Sequence, residues 1–146
     1  MLKTGTTILS IWAGLNLLPS FGILILILFQ GKNAPALSVL LSEEEISGLS
    51  SDLLATVNSI AAFANGLNVA FCLLFLFAIW RGLNRKIEWV FWALLLSTVF
   101  ALLAGIAGDY IVGTKFPEVN VISGLILAVG FICSAIGIFE FGKDKP

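Results

Sequence analysis

Four long stretches of this chain carry no lysine, arginine, aspartate or glutamate: residues 4–31, 53–80, 89–108 and 119–139. About 20 apolar residues in a helix span the roughly 30 Å hydrocarbon core of a bilayer. Each stretch is therefore long enough to cross once. Only 12% of the residues are charged, and 59% are hydrophobic; an ordinary soluble domain carries about 25% charged residues. The segments between the stretches are too short for a soluble domain, so function is expected in the spans or their connecting loops. The net charge of -1 offers no basic footprint for nucleic acid.

Strands of an outer-membrane barrel alternate apolar and polar residues over about 10 positions. Residues 23–29 (Ile-Leu-Ile-Leu-Ile-Leu-Phe) and 71–77 (Phe-Cys-Leu-Leu-Phe-Leu-Phe) do not alternate. The stretches read as helices. The expected fold is all-α: a polytopic membrane protein with a four-transmembrane-helix bundle, forming one membrane domain with spans near 4–31, 53–80, 89–112 and 119–141. The first stretch far exceeds the apolar core of a cleaved leader and no A-x-A site follows it, so it reads as a span.

Orientation follows from the basic residues. Lys3, Arg81, Arg85, Lys86, Lys143 and Lys145 fall on one side, and only Lys32 and Lys115 on the other. The excess places both termini in the cytoplasm, in a plasma (inner) membrane. Trp12, Trp80, Trp89 and Trp92 are expected at the headgroup level of that side, with Tyr110 and Phe116 at the opposite interface. In the first outer loop Pro35 opens a possible turn, and Ser42 with Glu45 matches a capping box. Ile46 and Leu49 follow at helical spacing, so a short amphipathic helix is expected there. Ser51 and Asp52 are expected to cap the second span. The outer acids Glu43, Glu44, Glu45, Asp52, Asp109 and Glu118 sit where helix starts and solubility want them, and they have no metal-loop spacing. Asp109 with Lys115 forms an expected local pair, and Glu140 marks the inner end of the last span.

The second span carries Asn58, Asn65, Asn68 and Cys72. At 100° per residue these fall within about 80° of arc. An amide facing lipid would lack a partner, so this face should look inward. Asn16 joins it from the first span, near Pro19, where a missing N–H should kink the helix. Two readings follow. The amides act as interhelical hydrogen-bonding groups, or Asn16, Asn58, Asn65 and Asn68 line a polar path or ligand pocket. Asparagine does not titrate, which argues against a proton relay.

The third span gathers Ser97, Ala101, Ala104, Gly105 and Gly108 on one face, and the fourth Ser123, Gly130, Ser134 and Gly137. The small-xxx-small spacing lets helix backbones approach closely. Gly105, Gly108, Gly130, Ser134 and Gly137 are therefore expected as packing positions, with the third span against the fourth.

Histidine is absent, and the two cysteines do not form a C-x-x-C pair. No phosphate-binding glycine loop or nucleophile elbow occurs. The sequence names no catalytic residue, metal ligand or cofactor, and argues for no enzyme. The expected function is helix–helix association, as an accessory subunit or homo-oligomer. The alternative is a small-solute channel, carrier or lipid-binding module built on the asparagine face. The expected partners are the lipid bilayer and other membrane subunits or a second copy of the chain, with no nucleic acid.

The orientation is testable by labelling. With Cys72 and Cys133 replaced, single cysteines at Asn84 and Lys143 should resist an impermeant thiol reagent in intact cells, and one at Glu44 should react. Labelling at Asn84 from outside would overturn the orientation.

Overall fold

The computed structural model describes residues 1–30, 43–112 and 117–139. The elements are α1 (Leu2–Gln30), α2 (Glu43–Ser47), α3 (Ser51–Arg81), a 3-10 turn (Leu83–Arg85), α4 (Glu88–Val112) and α5 (Pro117–Phe139). The described residues form no strand. Helices α1, α3, α4 and α5 contain spans long and apolar enough to cross a membrane. Their exposed surfaces carry large apolar side chains, among them Leu18, Phe63, Leu74 and Phe100. Hydrocarbon solvates such surfaces without penalty; water does not.

Local chemistry sets the helix ends. Ser50 caps α3: its Oγ accepts from the backbone N–H of Leu53 at 3.3 Å, three residues on, as an N-cap should. The cap thus lies one residue before the expected Ser51. Helix α1 continues through Pro19 without interruption. The expected features at Pro35, Ser42, Lys115 and Glu140, and the side chains of Glu45 and Asp109, lie outside the described residues.

The chain forms two compact units, residues 1–14 with 74–146, and residues 15–73. In α1 the division falls at Leu15, the residue whose carbonyl would receive the N–H that Pro19 lacks.

In the first unit the start of α1 runs antiparallel to α5. A Cβ built on Gly137 would overlap Leu2, with the Leu2 Cβ only 2.5 Å away. One on Gly5 would meet the Ser134 Oγ, with the Gly130 carbonyl oxygen at 2.7 Å. One on Gly130 would lie 2.7 Å from Leu9 Cδ2. Real side chains do not tolerate such distances, so these glycines are what permit the approach. The small face of α5 therefore meets the first span, where the sequence led us to expect the third. Helix α4 also packs on α5, as expected of the third and fourth spans: Gly105 faces Asn120, and Phe91 lies edge-on to Phe131 and Phe139, with centroids 5.8 and 5.6 Å apart.

Trp12 also departs from expectation. It is only 8% exposed, its Nε1–H donates to Ser123 Oγ at 2.6 Å, and it lies edge-on to Phe75 at 5.5 Å. The ring is enclosed by the helices of this unit. An indole there needs a hydrogen-bond acceptor, and Ser123 supplies it. Trp80, Trp89 and Trp92 remain exposed.

In the second unit the rest of α1 and most of α3 bury Ser20, Ile27, Asn58 and Cys72. Helix α2 is a single turn, with Ser47 Oγ donating to the Glu44 carbonyl at 2.8 Å.

The α1–α5 contact generates a stability test in a monodisperse detergent. Gly130→Leu should cost about 1–3 kcal/mol or more through overpacking. Gly108→Leu should be close to neutral, because no described atom lies within 4 Å of a Cβ there. The buried Ser134 hydroxyl has no hydrogen-bond partner, so Ser134→Ala should be neutral or stabilising. Equal melting temperatures for Gly130→Leu and Gly108→Leu would contradict the packing.

Candidate functional site

The polar side chains of the spans are the candidate site, since nothing else within the apolar stretches offers specific chemistry. On α3, Asn58, Asn65, Asn68 and Cys72 share one face, at spacings of seven, three and four residues that fit the 3.6-residue repeat. Asn58 is 3% exposed, and Cys72 is fully buried. Asn65 and Asn68 are half-buried.

Their partners differ. The Asn68 Nδ2 donates to Ser20 Oγ at 2.7 Å, which joins α3 to α1 inside the second unit. The Asn68 Oδ1 faces the Cys72 Sγ at 3.9 Å, a weak thiol contact. Asn65 turns back on its own helix, Nδ2 donating to the Ala61 carbonyl at 2.8 Å. Asn16, half-buried on α1, and Asn58 each engage an interaction of their own. The asparagines thus share a face, while Asn65 and Asn68 direct their amide N–H groups to different partners.

Ser20 was missed by the sequence reading. Its signal was present: it is a polar residue in an apolar run, next to the proline that loosens the helix ladder. Asn120 was missed for another reason, its place near a span end. Its Oδ1 would lie 3.4 Å from a Cβ on Gly105, so Gly105 faces a polar neighbour on α5. Of the expected packing positions, Gly130, Ser134 and Gly137 come together against α1, Gly105 faces Asn120, and Gly108 has open space beside it.

Cavities lined by described residues lie beside these helices. One of about 160 Å³ lies between α4 and α5, lined by residues including Thr98, Leu102, Leu127 and Phe131. Another of about 270 Å³ lies beside the α3–α4 turn. Neither is lined by an asparagine. Both cysteines are free thiols, and among the described residues no three His, Cys, Asp or Glu side chains gather as a metal site. No protein-family model, curated protein or solved structure matches this chain.

A double-mutant cycle tests the α1–α3 bond. Ser20→Ala and Asn68→Leu should each destabilise, and the pair should couple by about 0.6–2 kcal/mol in thermal melts. Asn65→Leu should show no coupling to Ser20→Ala. Coupling near zero for Ser20 with Asn68 would remove the bond from the account.

Proposed function

We propose that this chain is a small integral membrane protein that works by helix–helix association in the bilayer, as an accessory subunit or a homo-oligomer, with no chemistry of its own. The observation that carries this reading is where the polar groups of the spans go. Asn68 bonds Ser20, Trp12 bonds Ser123, and Asn65 bonds its own backbone. The hydroxyls of Ser10, Ser59 and Thr98 return to carbonyls one turn back. The first two bonds join helices and the others satisfy polar groups within their own helix, whereas a solute path needs such groups turned to water.

The antiparallel pairing of Leu2 with Gly137 supports a topology with both termini on one side. The basic residues favour the cytoplasm of a plasma (inner) membrane for that side. In this topology the turn at Glu43–Ser47 belongs to the first outer loop. Ser97, Ala101, Ala104 and Gly108 stay exposed on α4, whereas α1 covers the small face of α5. That uncovered face is where a further transmembrane helix fits with the least obstruction.

Particles cut from the membrane without detergent, weighed by native mass spectrometry, test this reading. They should contain more than one polypeptide, and Ala104→Phe should reduce them to single chains while leaving the melting temperature of the detergent-purified monomer unchanged. Wild-type particles with one chain and no other polypeptide would overturn it.

A further inference from the structure

The turn between α3 and α4 is built tightly. A Cβ on Gly82 would lie 2.6 Å from Val90 Cγ2 and 2.9 Å from the Ala78 carbonyl oxygen, so the two helix ends approach through a glycine. The Gly82 carbonyl accepts from the N–H groups of Arg85 and Ile87 at 3.0 and 3.2 Å. Lys86 closes the turn in the left-handed region, with φ 58°, and Leu83 is fully buried beneath it. The fold thus fixes the spacing of the two helices at this end.

Beside this turn lies the cavity of about 270 Å³. Much of its lining is apolar, including Phe77 and Ala78 from α3 and Ala93 and Leu94 from α4. Towards the turn it ends at Arg81 and Trp89. The Arg81 guanidinium stacks 4.9 Å from the centre of the Trp80 ring. A planar guanidinium held by its face still offers its N–H edge to a phosphate. Arg81, Arg85 and Lys86 are all exposed, and Glu88 is the one acid between residues 81 and 94. The exposed indoles of Trp80 and Trp89 are side chains that favour the headgroup level.

We propose that this groove holds one anionic phospholipid, with an acyl chain along Phe77, Ala93 and Leu94 and its phosphodiester at Arg81. The charge selects the lipid. A zwitterionic headgroup gains less from a turn that carries three basic residues and one acid. The groove selects a lipid over a free phosphate, because most of its wall has nothing to offer an ion. The proposal rests on the helices crossing a bilayer, whichever way round, and is independent of association with a partner chain.

The test reconstitutes the full chain in vesicles of phosphatidylcholine, or of phosphatidylcholine with a minor share of phosphatidylglycerol. Flotation first establishes insertion, so failure to enter the bilayer is read separately from failure to hold a lipid. Lipids retained on the protein are then counted by native mass spectrometry. Wild type should retain phosphatidylglycerol over phosphatidylcholine by roughly fivefold relative to their supply, the size expected of one basic side chain at a lipid surface. Arg81→Gln should abolish the preference. Ala93→Trp, which fills the groove and leaves Arg81 in place, should reduce retention of both lipids. Inorganic phosphate should not compete. Lys3→Gln should leave the preference intact. A loss with Lys3→Gln equal to that with Arg81→Gln would assign the effect to diffuse surface charge and overturn the site. So would equal retention of the two lipids by wild type, or retention of both lipids undiminished by Ala93→Trp.

Discussion

The first unit depends on how closely α1 can approach α5. Lipid tails are as apolar as leucine, so burying leucine against leucine gains little in a bilayer, and helices must associate through contact area and hydrogen bonds. Gly5, Gly130 and Gly137 remove the side chains that would keep the backbones apart. Leu2 and Leu9 of α1 then lie directly over Gly137 and Gly130. Two further contacts accompany that crossing. With α1 and α5 in place, the Trp12 indole reaches Ser123, and its ring meets Phe75 at the far end of α3.

A second constraint is that polar groups in hydrocarbon need partners, and several hydroxyls among the described residues find theirs locally. Thr6, Ser10, Thr56, Ser59 and Thr98 each donate to a carbonyl three or four residues earlier. Such bonds cost nothing in interhelical geometry and leave the helix surface effectively apolar. Long-range bonds such as Asn68 to Ser20 and Trp12 to Ser123 carry register. A bond of this kind is satisfied in one alignment of two helices and lost when either slides by a turn, which apolar packing alone resists less sharply.

The α3–α4 turn is the place where charge returns to the chain. Its backbone is held by Gly82 and by the left-handed Lys86, and a single buried leucine sits among exposed polar side chains. Leu83 points into the protein, while Arg81, Arg85 and Lys86 stay outside. Rigid backbone beneath a basic rim, with an indole on each side, gives this end of the molecule a defined chemistry that the apolar helix faces lack.

The number of long apolar helices was legible from the sequence alone, because the spacing of charges is a one-dimensional property and about 20 uncharged residues admit few alternatives. The shared face of Asn58, Asn65, Asn68 and Cys72 was legible too, since helical periodicity fixes angle without reference to neighbours. The identity of each neighbour was not. Gly130, Ser134 and Gly137 announced a close approach, but small residues fit any helix, and only the tertiary structure chose α1 over α4. Trp12 looked like an interfacial anchor until Ser123 and Phe75 provided a buried acceptor and a ring edge. Asn68 needed some partner, and a serine beside Pro19 became that partner once the two helices were aligned. Periodicity determines which way a side chain faces; what it meets there is decided by packing between segments far apart in the chain.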